Sequence, residues 1–413
     1  MNHLEKYDEA GNHERVARLR GRGVEVWGPE RVYIAADVVL ENIEPGAAIH
    51  QATVAGASTF IGKGTRIGLS GHALIRDCQI GRNVSLGAGT YEGATILDGT
   101  SIRGFAEIRP GTLLEEDVEA AHNVAFKNTV LTATMVTGSL INYCDVFMSG
   151  GRSRTLHSEV GSGVVHFNFD PRGDKYSSLV GDVRGVLLRS APIFVGGQCG
   201  LVAPLHVDFG AVIAAGSVVR GDVGPERVKF EGAGKDEKEG FDREIYARLR
   251  RKFLTTARVV GNLRALAAWY RHVRLPFADS YQKPLYESAI EQTRIHVAER
   301  VRRVTAILAK LERSIEKSGA TGDASLIACQ DEHRLLLRRH NEVVACLESE
   351  PMTEPLPAKL VRQYENLRGA APHLDAVRGL DDANVAAAAK WLKGIADDPA
   401  SRMTAIFEGR ISL

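Results

Sequence analysis

The chain has 413 residues, with 52 Lys and Arg against 51 Asp and Glu, and only 6% aromatic residues. That length exceeds one average domain, and a net charge of +1 makes no electrostatic case for bulk nucleic-acid or anionic-membrane binding. No apolar run approaches the ~20 residues of a membrane span, the charged start MNHLEKYDEAGNHERV lacks a signal core, and Cys78, Cys144, Cys199, Cys329 and Cys346 are scattered without CxxC pairing. A cytoplasmic protein with reduced packing thiols is expected.

In chain order, residues 1 to about 30 read as a short polar helix followed by an extended segment, GVEVWGPERVYI. From residue 31 to about 223 the text repeats. Ile61-Gly62, Ile67-Gly68, Ile80-Gly81 and Leu86-Gly87 come first, then Ile96, Ile102 and Ile108. The repeat is strictest from Val195 through Leu201, Val207 and Ile213 to Val219, each six residues after the last, with Cys199, Leu205, Ala211 and Ser217 at the fifth position of each unit. A strand repeats every two residues and a helix every ~3.6, so period six predicts a parallel β-solenoid of hexapeptide repeats. The 42 glycines suit its tight corners. Two polar interruptions, Ser149 to Glu159 and Pro171 to Ser178, leave this scaffold as loops, where binding residues commonly sit.

After Gly221-Asp222-Val223-Gly224-Pro225 the composition shifts, and residues 235 to 413 predict an α-helical domain. One helix is expected over Phe241 to Arg274, stopped by Leu275-Pro276, and another over Cys329 to Leu347. Val297, Val301, Val304, Leu308, Leu311 and Ile315 alternate by four and three, the seam of a helical pair, closed by Gly319 and Gly322. The expected job of these helices is to cap one end of the solenoid and to help it oligomerise. Arg248, Arg250, Arg251 and Lys252, with Trp269-Tyr270-Arg271-His272, suit either an anion site or a solvated helix face with an aromatic anchor; the second reading is the simpler.

The segments Ile108-Arg109-Pro110-Gly111, Lys127-Asn128, Asn168-Phe169-Asp170 with Lys175, Leu201-Val202-Ala203-Pro204 and Ile213-Ala214-Ala215-Gly216 occur in that order. Together they resemble the left-handed β-helix, acetyltransferase half of the bifunctional N-acetylglucosamine-1-phosphate uridyltransferase/glucosamine-1-phosphate acetyltransferase, over roughly residues 15 to 223. No Gly-rich phosphate loop precedes the solenoid, so uridyl transfer is not expected, and the helical region has no counterpart in that family. The resemblance implies a left-handed β-helix, a homotrimer with sites at subunit junctions, and acetyl-coenzyme A or another acyl-coenzyme A as donor. Arg109, Lys127 and Lys175 fall where the family holds the phosphate and sugar, and a forked Arg with two Lys suits a phosphomonoester. Asn168 belongs to the same set. Ser162, Gly197 and Ala215 fall on the coenzyme side.

The resemblance breaks at the base. Ser139 stands where the family has its proton-accepting histidine, and a lone serine is too weak a base. Asn142 replaces a sugar-contacting tyrosine, and Glu159 an asparagine. His166, two residues before Asn168, and His157, in the first loop, are the candidate replacement bases, since imidazole titrates near ~6.5; Asp145 and Glu159 would need raised pKa values. Two functions remain in view. One is an N-acyltransferase acting on an amino-sugar phosphate or sugar nucleotide. The other is a non-catalytic protein on the same scaffold that binds a sugar phosphate or nucleotide sugar. A zinc hydratase of the γ-carbonic anhydrase kind fits poorly, because His157, His166 and His206 lack its close histidine pair.

Overall fold

The computed structural model describes residues 8–230, 242–350 and 355–408. It contains a parallel β-solenoid of about 11 turns followed by a helical region. Each turn adds one short strand to an 11-stranded sheet and further strands to a 16-stranded one, and the strand pairs within both are parallel. The period-six aliphatics are its inward rungs: Val195, Leu201, Val207, Ile213 and Val219 are all buried in one continuous core, with Cys199, Leu205 and Ala211 between them. Because each strand pairs only with the coils before and after it, residues one coil apart form columns. One inward column runs Ile108, Phe126, Tyr143, His166, Leu201 and Val219.

The ends and flanks of the solenoid are covered differently from the sequence expectation. Helix α1 (Glu9–Gly21) closes the first coil with Val16 and Leu19. Its Asn12 donates to the Val32 carbonyl (3.0 Å) and accepts from the Ile34 amide (2.8 Å). The capping role given to the C-terminal helices therefore falls to α1 at this end. The C-terminal helices lie instead along one flank.

The flank is apolar because one outward column is apolar. Leu113, Val130, Phe147 and Leu179 are stacked on successive coils and are buried together with residues of the helical region such as Val259, Leu263, Leu266 and Trp269. In a strand adjacent side chains point to opposite faces, so in Leu113-Leu114 or Phe147-Met148 one member fills the solenoid and the other meets the helices. Each fully buried large aliphatic contributes ~1.5–3 kcal/mol.

The helices are α2 (Arg250–Trp269), α3 (Gln282–Leu308), α4 (Leu311–Ala320), α5 (Ala324–Ile327), α6 (Gln330–Arg338), α7 (His340–Glu348), α8 (Ala358–Arg368), α9 (His373–Arg378) and α10 (Asp382–Phe407). The expected helix over Phe241 to Arg274 begins at Arg250 and ends in a π turn, Tyr270–Arg274; Phe241 lies outside the described residues. The Cys329 to Leu347 helix is interrupted at Arg339. The long seam is real but broken between α3 and α4: Val304, Leu308 and Leu311 are buried, whereas Ile315 is only half-buried. Gly319 falls inside α4 and Gly322 follows it. Among the described residues no helix is long and apolar enough to cross a membrane.

Two buried ion groups fasten helices to solenoid. Arg274, in the π turn, bridges Glu115 (3.4 Å) and Glu116 of one coil, and the Tyr270 hydroxyl donates to Glu115 at 2.6 Å. Arg300 of α3 pairs with Asp145 of another. Removing one partner of such a group strands the other charge out of water. Arg274→Met is accordingly expected to lower the unfolding free energy by ~3–5 kcal/mol, read from urea unfolding followed by tryptophan fluorescence; a change under ~1 kcal/mol would show that the group is solvated in solution.

Candidate functional site

Column stacking assembles an outward face beside the second polar loop, Pro171 to Ser178. Arg109 leads the register in which Lys127 lies opposite Cys144 on the next coil. The Arg109 guanidinium lies 3.6 Å from the Cys144 sulfur, and the charges of Arg109, Lys175 and Lys127 all act on that thiol. Burial nevertheless raises the Cys144 pKa, so it is held as a neutral thiol among cations. Arg109 has Glu107 at 3.5 Å. Lys127 and Lys175 are half-buried and have no carboxylate within 4.0 Å among the described residues. Asn142 is exposed on the same strand, its Oδ1 3.8 Å from the Cys144 sulfur.

Lys175 reaches this face because Asp170 to Asp174 make a tight turn. Phe169 bridges to Lys175, and the Tyr176 amide donates to the Asn168 carbonyl at 2.7 Å. The turn is tied to the helical region, with the Tyr246 hydroxyl on Asp174 (2.6 Å) and Lys310 on Asp174 (2.8 Å). Asn168 itself is engaged: its amide donates to Asp145 at 2.6 Å, beside the Asn128 amide (3.1 Å) and Arg300. Burial alone would raise the Asp145 carboxyl, but Arg300, His296 and the two asparagine amides together hold it below its ordinary range. Asp145 is thus a fixed anion rather than a proton acceptor.

A second column forms the neighbouring corner. His122, Ser139, Ser162, Gly197 and Ala215 follow one another on successive coils. The Ser139 amide donates to the Ser162 hydroxyl (3.1 Å). The coils approach so closely here that a Cβ on Gly161 or Gly196 would lie 2.5 Å from the next coil's backbone nitrogen. The corner is therefore narrow and rich in small side chains, and it holds Ser162, Gly197 and Ala215 in one column. Its first two members make a contact that the sequence reading missed: Ser139 Oγ lies 3.3 Å from Nδ1 of the exposed His122. The available signal was a separation of 17 residues, one coil, between a histidine and the serine replacing the expected base.

The two histidines chosen from sequence sit elsewhere. His166 occupies an inward rung and is 3% exposed. Its Nδ1 is 2.7 Å from the Cys144 carbonyl and its Nε2 2.7 Å from the Ser178 hydroxyl. With both nitrogens engaged inside the coil it faces no substrate, which corrects its assignment as a base: burial pushes its pKa down to about 4. His157 is half-buried in the loop, with Nδ1 2.9 Å from the Arg154 carbonyl and Nε2 3.6 Å from Glu159. Glu159 belongs to the 11-stranded sheet, so this pair and the cations on the other sheet lie on different faces of one solenoid. Among the described residues no group of three or more His, Cys, Asp or Glu is placed to hold a metal ion.

His166 also makes a stability prediction. Its folded pKa is depressed, so the unfolded chain binds more protons between pH ~6.5 and about 4, and stability falls as pH drops through that window. Some ~3 kcal/mol is at stake. Urea midpoints measured from pH 7 to 4 are expected to fall, and His166→Gln to flatten part of the slope; identical slopes in both proteins would contradict the buried neutral imidazole.

No protein-family model matches the chain. Comparison with curated proteins finds similarity to several named bifunctional protein GlmU. That of Trichlorobacter lovleyi is 30% identical over 223 residues, covering 53% of this chain and 43% of the relative. That of Acinetobacter baumannii is 29% identical over 185 residues, covering 40% and 37%, and that of Streptococcus agalactiae 27% over 231 residues, covering 55% and 45%. The chain thus spans less than half the length of these relatives. The similarity and the solenoid agree with a GlmU-like hexapeptide-repeat protein.

Proposed function

We propose that the solenoid is the scaffold of an acyl-coenzyme A-dependent N-acyltransferase whose acceptor is an amino-sugar phosphate or a sugar nucleotide. The observation that carries this reading is the outward trio Arg109, Lys127 and Lys175, whose two lysines have no carboxylate partner among the described residues. Three cations around one point, two of them without a carboxylate partner among the described residues, suit a phosphate, which accepts charge-assisted hydrogen bonds from all three. The resemblance and the similarity to bifunctional protein GlmU point to the same ligand chemistry.

In this reading acetyl-coenzyme A lies along the corner column Ser139, Ser162, Gly197 and Ala215. The acceptor's neutral amine attacks the thioester carbonyl, the C–N bond forms and the C–S bond breaks. His122, in contact with Ser139, takes the amine proton and returns it to the departing thiolate, and corner amides stabilise the oxyanion. His122 replaces His166 and His157 in that role, since it alone of the three adjoins the corner. The strand before Ser139 and the strand that carries Cys144 belong to different sheets of the solenoid, and in the expected homotrimer one subunit's cations would serve the corner of a neighbouring copy.

A second reading, binding without turnover, draws on Ser139 standing where the family keeps its histidine and on His166 lying in the core. Thiol release from acetyl-coenzyme A with a panel of amino-sugar phosphates separates them. Turnover is expected with glucosamine 1-phosphate or a related acceptor, with kcat falling ~10²–10⁴-fold in His122→Ala and KM rising in Arg109→Met. Saturable sugar-phosphate binding by calorimetry, with no thiol release from any acceptor, would overturn the transferase and leave the binding protein.

A further inference from the structure

The helical region carries a groove on the side of α3 turned from the solenoid. Along α3, Gln292 and Arg300 contact solenoid residues Gly111 and Asp145, and His296 lies one turn from each. Ile290, Arg294, Ala298 and Arg302 fall two positions away, on the opposite side of the helix. Together with α2 they line a groove of about 450 Å³, within the ~300–1,000 Å³ of small-molecule sites.

Its chemistry is divided. Leu263, Ala267, Ile290, Val297 and Val301 supply hydrocarbon walls. Arg264 supplies a charge that is in direct contact with no carboxylate among the described residues, although Glu350 and Asp398 act on it from farther off. It is only 8% exposed; Nη2 donates to the Leu347 carbonyl at 2.5 Å. Among the described residues Nη1, itself out of solvent, has no hydrogen-bond partner, and no carboxylate comes within ion-pair distance of this guanidinium. A buried donor and charge left so is strongly unfavourable. Arg271 stands exposed at the rim, also without an ion pair among the described residues. Arg294 and Arg302 are already paired with Glu291 and Glu299 of their own helix. The acidic members, Glu348 and Glu350, are exposed.

We propose that this groove binds a small anionic amphiphile, a carboxylate with a hydrocarbon tail, whose headgroup pairs with Arg264 and Arg271 and whose tail lies along Ile290, Val297 and Val301. An anion answers the unpartnered guanidinium, and a hydrocarbon tail answers the walls. This site is independent of the acyl-transfer reading and stands or falls without it.

Calorimetry of the full chain with decanoate is expected to give saturable one-to-one binding, with decanol, the uncharged control, about tenfold weaker or more. Ala298→Phe fills the groove from an exposed position and is expected to abolish binding while leaving circular dichroism and Tm unchanged. Arg264→Met is expected to weaken decanoate about tenfold and decanol little. Should that variant fail to fold, Arg271→Ala carries the headgroup test, with decanoate weakened and decanol unchanged. Absence of saturable binding, equal affinity for acid and alcohol, or decanoate affinity unaltered by Ala298→Phe would each overturn the proposal. So would a self-associated chain that Ala298→Phe dissociates, since the groove would then seat a second copy.

Discussion

The candidate site depends on one constraint: the strands of a parallel solenoid hydrogen-bond only to strands of the neighbouring coils. Residues 16 to 35 positions apart in sequence therefore become neighbours in space, as Leu86 and Ile102, or Val160 and Val195, do. The buried rungs fix this register, because a slip of one residue would turn every inward aliphatic outward. The columns that matter chemically, Arg109 with Lys127 and Cys144, and His122 with Ser139 and Ser162, are by-products of the same register. They are held rigidly, which is what a preorganised site needs.

The helical region is part of this architecture. Its apolar inner surface covers the column Leu113, Val130, Phe147 and Leu179, and the buried Arg274 and Arg300 fix where it docks. Arg300 has a second consequence. By fixing Asp145 it fixes Asn168, and so the start of the turn that delivers Lys175. The helices thus support the candidate site from behind, while their outer surface stays available for separate chemistry.

Much of the fold was legible in the sequence because the final coils repeat every six residues without interruption: Val195 to Val219 announces the solenoid unaided. Arg109 and Lys127 were singled out through resemblance, and the parallel register sets them side by side on neighbouring coils. His166 was misjudged because the loops before it vary in length, which hides the register; its alignment with the rung Leu201 is what turns it inward. His122 was missed for a related reason, since its tie to Ser139 exists only when the chain is cut into coils. The placement of the helices was misread as well. Consecutive apolar pairs such as Val130-Leu131 and Phe147-Met148 signal a solenoid face covered on the outside, but they look like ordinary core until inward and outward positions are told apart.

The central claim is that the two outward columns of the solenoid supply the two halves of a transferase site, joined between neighbouring copies. A crystal structure of the chain with coenzyme A and glucosamine 1-phosphate tests it most directly. The account predicts the pantetheine arm along Ser139, Ser162, Gly197 and Ala215, the sugar phosphate on Arg109, Lys127 and Lys175, and His122 facing the amine from a neighbouring copy. Coenzyme A bound away from that corner, or a sugar phosphate that leaves the two lysines unpaired, would contradict it.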